Sequence, residues 1–159
     1  MNNNNINLSV IIPIFNEESN VIRLYEELKS NLKMITQYEI IFINDGSVDE
    51  TKSYLNTISD KRVKIIDHDT NLGQSRAIFT GINNSNFQNI LTIDGDCQND
   101  PSDINKLIHL YLSGHNFKLV GGIRVKRADN YIKIYSSKIA NLIRSYILKD
   151  NCKDTGCSL

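Results

Sequence analysis

Apolar residues along this chain gather in five short runs, separated by mostly polar segments. The first run, LSVIIPIF at residues 8–15, is almost continuously apolar, which is typical of a central strand in a parallel sheet. Similar runs predict further strands at residues 38–44, 63–67, 90–93 and 118–122. The pattern therefore predicts a sheet of five strands.

The segments between these runs carry apolar residues at helical spacing. After the first strand, one helical face is formed by Val21, Leu24, Tyr25, Leu28 and Leu32. The S-x-x-E spacing of a capping box at residues 47–50 predicts a helix that runs to about residue 59. Further helices are predicted at residues 74–83, 101–113 and 131–148. Strands that alternate with helices indicate an α/β domain with a doubly wound, mostly parallel sheet.

Polar clusters follow the predicted strands at the points where they end. They are Asn16-Glu17, Asp45, Asp94 to Asp96, and Arg124. In doubly wound sheets, ligands bind outside the carboxyl ends of the strands. The clusters should therefore meet at one edge of the sheet and form a binding site there.

The fourth strand ends in the most acidic of these clusters. Asp94 and Asp96 flank Gly95, which lets the backbone turn tightly, and Asp100-Pro101 predicts a helix start with Asp as its N-cap. Carboxylates at the end of a buried strand are costly unless a positive group lies beside them, and a hard divalent cation that holds a phosphorylated ligand is the simplest such group. A plain polar turn is the alternative, because Asp-Gly is common in turns.

Composition and missing motifs narrow the classes of function. The 159 residues suit one domain, and 18 basic against 18 acidic residues give no bulk charge that would attract nucleic acid. Cys97, Cys152 and Cys157 contain no C-x-x-C pair and are expected to be reduced thiols. A G-x-G-x-x-G after the first strand and a G-x-x-x-x-G-K-[ST] are both missing, which disfavours dinucleotide-binding Rossmann domains and P-loop NTPases.

Four segments resemble the motifs of family 2 glycosyltransferases with the GT-A fold. Residues 9–18, SVIIPIFNEE, resemble the opening SVVIPVYNEE, and residues 44–51, NDGSVDET, resemble the nucleotide-binding turn DDGSxDxT. Residues 71–77, NLGQSRA, are similar to the element N-x-G-x-x-x-A. Residues 94–101, DGDCQNDP, resemble DADLQDPP, the form typical of the polyprenyl-phosphate branch that includes dolichol-phosphate mannose synthase-like enzymes.

The resemblance implies a nucleotide site at the ends of the first two strands. Asp45 matches the position that bonds the base, and Pro13, Phe15 and Glu17 match contacts to the base and ribose. On the residues alone, packing in the core is the better interpretation of Pro13 and Phe15.

The resemblance also implies Mg²⁺ or Mn²⁺ as a cofactor, at a catalytic centre formed by Asp94 and Asp96. The metal ligands would be Asp94, Asp96 and Gln98, which offer the oxygen atoms that hard cations prefer. Asp96 is the first choice, and Asp94 could instead hold a ribose or sugar hydroxyl.

Basic residues near the end of the chain match phosphate-binding positions of the polyprenyl-phosphate branch. These positions are Arg124, Lys133 and Ser137. Arginine offers bidentate donors and lysine a point charge, both suited to phosphate. A solvated helix face is the alternative, because other basic residues lie nearby.

The resemblance implies an inverting transferase that moves a sugar from a UDP- or GDP-sugar to a polyprenyl phosphate. Such an acceptor is already an anion and needs positioning more than deprotonation. His68, His109 and His115 are therefore not needed as bases and are expected to be solvent-exposed. Three alternatives stay open: a family 2 transferase that acts on a sugar hydroxyl, a non-catalytic nucleotide-sugar-binding fragment, and a sugar-1-phosphate nucleotidyltransferase.

The resemblance covers nearly the whole chain, so residues 1–159 are expected to be a single GT-A catalytic domain that is incomplete at its C-terminus. A full-length protein would work in the cytoplasm at the inner face of the membrane. Its expected partners are the sugar donor, the polyprenyl phosphate and the membrane surface, with no nucleic acid and with a homo-oligomer as a possible state.

Overall fold

The computed structural model describes residues 4–114 and 117–122 of the chain. The strands are β1 (Asn4–Ile14), β2 (Ile35–Asp45), β3 (Val63–His68) and β4 (Asn89–Thr92). The α-helices are α1 (Val21–Asn31), α2 (Thr51–Asn56), α3 (Gln74–Asn83) and α4 (Ile104–Tyr111). Short 3₁₀ helices lie at Leu32–Met34 and Pro101–Asp103. None of these helices is long and apolar enough to cross a bilayer.

The four strands form one parallel sheet in the order β3-β2-β1-β4. β1 lies between β2 and β4, with Ile12 beside Phe42 and Val10 beside Leu91. Every residue of β2 from Tyr38 onward is buried, because the strand is covered on both faces. Strands alternate with helices along the chain, and this strand order confirms the prediction of a doubly wound α/β fold.

Helices cover both faces of the sheet but approach it differently. On one face the sheet packs against large side chains of α1, α2 and α4, including Leu24, Leu55 and Ile104. On the other face, α3 contributes the small residues Ala77 and Gly81. A methyl group on Gly81 would collide with Ile11 of β1, so α3 lies unusually close to the sheet. Ala77, in the first turn of α3, packs on the same face and keeps the start of the helix against the strands.

A buried polar network stands at the opposite, amino-terminal edge of the sheet. The Ser9 hydroxyl, which is fully buried, donates to Glu39 Oε1 at 2.6 Å. Asn86 donates to the same carboxylate twice, from its backbone N–H (2.5 Å) and from Nδ2 (2.7 Å). The backbone N–H of Phe87 in turn donates to Ser9 Oγ. The network fixes the segment that leads into β4.

The capping box predicted at residues 47–50 does not form. Helix α2 begins at Thr51 and ends at Asn56, and its N-cap position has no side-chain hydrogen bond. Asp49 accepts instead from the backbone N–H of Thr51 at 3.0 Å, while the Ser47 hydroxyl accepts from the N–H of Asn16. The helix start predicted at Asp100-Pro101 is confirmed, since Asp100 accepts from the N–H of Ser102 and Pro101 occupies the first helical turn.

The prediction of a fifth strand at residues 118–122 is wrong as well. The described residues 117–122 have no strand structure, and Leu119 is 87% exposed rather than buried in a sheet. The helix predicted at residues 131–148 lies outside the described residues.

Candidate functional site

The ends of β1 and β2 lie side by side and are tied together by reciprocal hydrogen bonds. Ile14 pairs with Asn44, so the residues after each strand become neighbours. Asn16 adopts a left-handed conformation, φ 55°, which asparagine tolerates better than most residues. Its N–H donates to Ser47 Oγ, and its side-chain oxygen accepts from the N–H of Val48 at 2.9 Å. Two hydrogen bonds therefore join the segment after β1 to the turn after β2.

A second pair of hydrogen bonds joins the segment after β1 to the start of α2. The N–H of Glu17 donates to Thr51 Oγ1 at 2.8 Å, and the Glu18 carboxylate accepts from the N–H of Glu50 at 2.9 Å. Glu17 is half-buried, and its carboxylate accepts from Asn20 Nδ2. Hydrogen bonds made by both its backbone and its side chain thus fix Glu17, the residue that the sequence motif predicts as a ribose contact.

Phe15 is not a core residue. Its side chain is 44% exposed where it follows the last residue of β1, whereas Pro13, inside the strand, is half-buried. The core-packing interpretation is therefore wrong for Phe15. An exposed aromatic ring at this edge is a surface on which a nucleobase can stack.

Asp45 ends β2 and is almost fully enclosed, with its side chain 4% exposed. Oδ1 lies 2.6 Å from His68 Nδ1 and accepts from the N–H of Leu72 at 3.0 Å, and Oδ2 accepts from the N–H of Gly73 at 2.8 Å. Burial by itself raises the pKa of this carboxyl, but the hydrogen bonds from His68 and the two amides outweigh it and hold the pKa of Asp45 below its usual range. Asp45 is thus an ionised acceptor that organises the loop before α3.

His68 belongs to the site, and the prediction that it is solvent-exposed is wrong. Its side chain is 10% exposed and joins Asp45 to α3, because Nε2 lies 3.0 Å from Thr80 Oγ1. An ionised carboxylate only accepts, so the hydrogen-bond network assigns the proton to Nδ1. His109 is exposed, as predicted, and His115 lies outside the described residues. One signal could have found His68: it directly follows the predicted third strand, as Asp45 follows the second, and the parallel register pairs the two.

Gly46 lets the loop before α3 approach the turn after β2. Its φ is 71°, and a Cβ at this position would lie 2.5 Å from the backbone nitrogen of Asn71 and 2.8 Å from Thr70 Cα. Real side chains do not approach backbone atoms this closely, so glycine is required here. This contact places the loop at residues 71–73 against the turn after β2. The amides of Leu72 and Gly73 in this loop bind the carboxylate of Asp45, which precedes that turn.

At the end of β4, Asp94 is held by two amide side chains. Gln74, the first residue of α3, donates from Nε2 to Asp94 Oδ1 at 2.7 Å, and Asn99 donates from Nδ2 to Oδ2 at 3.4 Å. Asp94 is therefore oriented by its neighbours. The sequence prediction did not assign a role to Gln74, although it lies within the motif at residues 71–77.

Asp96, two residues further on, has more of its carboxylate free. Its Oδ1 accepts from the backbone N–H of Gln98 at 3.0 Å, and no donor among the described residues bonds the other oxygen. The described residues contain no cage of three or more His, Cys, Asp or Glu side chains for a metal ion. Hard cations such as Mg²⁺ are commonly held by one or two carboxylates together with substrate phosphates, and the oxygen atoms of Asp94, Asp96 and Gln98 fit that chemistry.

The remaining predicted residues divide between the loop and the end of the chain. Cys97 is a free thiol, as expected. Cys152 and Cys157 lie outside the described residues, as do the predicted phosphate-binding residues Arg124, Lys133 and Ser137. The structure thus brings the carboxyl ends of β1, β2 and β3 together around Asp45. It brings the start of α3 and the end of β4 together around Asp94.

Curated proteins of known function include relatives of this chain. An undecaprenyl-phosphate 4-deoxy-4-formamido-L-arabinose transferase from Yersinia pestis (strain Pestoides F) is 31% identical over 156 residues, which are 96% of this chain and 47% of that protein. The chain therefore spans about half the length of the curated relatives it matches.

Solved structures share the fold. Glucosyl-3-phosphoglycerate synthase from Mycobacterium tuberculosis, in complex with Mn²⁺, UDP-glucose and phosphoglyceric acid, superposes with a TM-score of 0.68 at 17% identity, over 87% of this chain and 50% of that one. A mannosyltransferase from Pyrobaculum calidifontis, in complex with GDP-mannose and Mn²⁺, gives 0.63 at 17% identity, over 82% of this chain and 38% of that one.

These neighbours confirm the GT-A fold. The family described as "Glycosyl transferase family 2" matches at residues 9–158, which include the ends of all four strands together with Asp45, Asp94 and Asp96. The chain belongs to glycosyl transferase family 2.

Proposed function

We propose that this chain is the donor-binding part of a metal-dependent transferase that moves a sugar from a nucleotide-diphosphate sugar to a polyprenyl phosphate. The observation that carries the proposal is the contrast between two carboxylates at the end of β4. Asp94 is held on both oxygens by amide side chains, whereas Asp96 keeps one oxygen without a donor among the described residues. Asp96 is thus available to a cation, and the relatives' names supply the class of acceptor.

In this proposal each strand end handles one part of the donor. The exposed ring of Phe15 stacks on the base beside Asp45, and the half-buried Glu17 and the backbone around it face the ribose. Asp94, oriented by Gln74, lies between the nucleotide and the transferred sugar and accepts from a hydroxyl there. Asp96, with Gln98 beside it, would hold Mg²⁺ or Mn²⁺, which would supply positive charge to the diphosphate.

The chemistry needs charge relief more than proton transfer. The bound cation would act as a Lewis acid that stabilises the negative charge on the departing nucleotide diphosphate. An ionised acceptor phosphate can attack the anomeric carbon opposite the leaving group, which inverts its configuration. The chain's own contribution is to hold the donor in line for that attack, and positioning of this kind supplies much of an enzyme's rate.

Nucleotide binding by matched variants tests the metal assignment. Calorimetry with UDP and GDP should detect binding in Mn²⁺ that collapses in EDTA and in Asp96→Asn, because without a cation the diphosphate would face the carboxylates of Asp94 and Asp96 unneutralised. The control is Asp100→Asn, in the same loop, since asparagine caps a helix as well as aspartate does. Binding that is equally strong in EDTA, or in Asp96→Asn, would contradict the metal site.

The acceptor is tested on a full-length version of the protein. We propose that Arg124, Lys133 and Ser137 hold its phosphate, and that the protein works at the inner surface of the cytoplasmic membrane, where that lipid is presented. The product should be a sugar phosphodiester that is labile to mild acid, and Lys133→Ala should lower turnover more than nucleotide affinity. An acid-stable glycoside on a free hydroxyl would show instead that the acceptor is a sugar.

A further inference from the structure

The environment of Asp45 carries an inference about which base the donor contains. The neighbouring solved structures bind both uridine and guanosine nucleotides, so the fold does not decide between them. The decision lies in how many hydrogen bonds the Asp45 carboxylate can still accept.

An ionised carboxylate offers about four acceptor positions, two on each oxygen. In Asp45, Oδ1 is used twice, by His68 Nδ1 and by the N–H of Leu72, and Oδ2 is used once, by the N–H of Gly73. One acceptor position, on Oδ2, is left. Because the side chain is only 4% exposed, it has room for no more than one further donor group.

The three internal donors are themselves fixed, so the count is a property of the fold. His68 is held from behind by Thr80 of α3, at 3.0 Å from Nε2. The amides of Leu72 and Gly73 belong to the loop that packs against Gly46, where no side chain could fit. To release one of these donors, Asp45 would have to lose the support of His68 by Thr80 or displace this loop.

We propose that His68 is a positioning residue that leaves Asp45 a single acceptor position, and that this makes the base site selective for uracil over guanine. The inference rests on the proposed function. The imide edge of uracil presents one N–H between two carbonyl oxygens, which matches one acceptor. The corresponding edge of guanine presents two adjacent donors, N1–H and N2–H, and one of them would meet an oxygen already occupied by His68 and Leu72.

The test compares three nucleotides in the presence of Mn²⁺: UDP, UDP methylated at N3, and GDP. The unaltered chain should bind UDP about tenfold or more tightly than either of the others, because each alternative loses a hydrogen bond or leaves a donor unsatisfied. His68→Leu frees Oδ1, so the preference for UDP over GDP should fall several-fold. His68→Asn, whose Nδ2 can replace the Nδ1 donor, should retain most of that preference.

The ratio of affinities separates positioning from simple support of the fold. A merely structural role would weaken all three nucleotides equally and leave their ratios unchanged, which would overturn the proposal. If His68→Leu does not fold, Thr80→Val, which removes only the support of His68, should still lower the UDP to GDP ratio. Equal binding of UDP and N3-methyl-UDP, or tighter binding of GDP, by the unaltered chain would refute the inference and leave the proposed transferase intact. Failure to bind any of the nucleotides would instead refute the proposed function and, with it, this inference.

Discussion

Replacing Glu39 by glutamine should destabilise the protein although it changes only one atom of the side chain. Glu39 accepts three hydrogen bonds at the amino-terminal edge of the sheet, from Ser9 Oγ and from the backbone and side chain of Asn86. Glutamine has one oxygen and one NH₂ group. Turned toward Ser9, its NH₂ would face the backbone N–H of Asn86; turned the other way, it meets the side-chain amide of Asn86, which must rotate to present its own oxygen. In either orientation the charged acceptor is lost, and all three bonds are weakened.

The size of the effect follows from the loss of the charge on the acceptor. A hydrogen bond to a charged group contributes about 1.5–3 kcal/mol and one between neutral groups about 0.5–1.5 kcal/mol, a difference of about 1 kcal/mol for each bond. We therefore expect Glu39→Gln to lower the free energy of unfolding by about 2–3 kcal/mol. With a urea dependence of about 2 kcal/mol per molar, typical of small domains, the unfolding midpoint should fall by about 1 M.

The loss should depend on pH in a defined direction. Burial by itself raises the pKa of Glu39, but the hydrogen bonds from Ser9 and Asn86 lower it by more than burial raises it. In the folded protein the pKa of this carboxyl therefore lies below its usual value. The ionised group therefore stabilises the fold above the unfolded pKa of about 4.3, and this contribution disappears as the pH falls through the lower folded pKa. The difference between the unaltered chain and Glu39→Gln should be constant near pH 7 and narrow below about pH 4.

A double-mutant cycle provides the decisive control. Asn86→Asp gives the new NH₂ of Glu39→Gln a carboxylate to bind, so the double variant should recover much of the stability that either single variant loses. Urea unfolding followed by circular dichroism measures all four proteins. Unchanged stability in Glu39→Gln, or strictly additive losses in the double variant, would refute the assignment of these three bonds.

Two further predictions concern the candidate site. Gly46→Ala should lower the free energy of unfolding in urea by more than the about 1–2 kcal/mol that a left-handed conformation alone costs, because the added methyl would meet the backbone of Thr70 and Asn71; a loss no larger than that would show that the loop simply moves away. Gln74→Leu should weaken Mn²⁺-dependent nucleotide binding several-fold in calorimetry with little change in melting temperature, because it removes an exposed bond to Asp94; unchanged affinity would mean that Asp94 needs no orientation.

The central part of the fold could be predicted because its residues are buried on both faces. The runs at residues 8–15 and 38–44 became β1 and β2, and the polar residues after them met as expected. The Asp100-Pro101 helix start was also predictable, because an N-cap depends on contacts within a few residues. The run at residues 118–122 failed because it offers only Leu119 and Val120, which is too little apolar surface to require a place in the sheet.

The errors within the site share a different cause. The S-x-x-E pattern at residues 47–50 indicates a local cap, but Ser47 and Glu50 instead bond the segment after β1, more than 30 residues away. His68 and Gln74 likewise acquire their roles from Asp45 and Asp94, each 20 or more residues distant. Such partners depend on the register of parallel strands, which the hydrophobic pattern alone does not specify.

The binding of two loop amides by Asp45 also has a consequence for local unfolding. Leu72 is 53% exposed, and in an ordinary surface loop its amide proton would exchange with solvent almost freely. Here the amides of Leu72 and Gly73 are bonded to a carboxylate enclosed between β3 and α3. Exchange at these two positions therefore requires an opening that separates the loop from β2. We therefore expect the loop to open together with the sheet, and deuterium exchange at its amides would report the integrity of the proposed base site without any ligand.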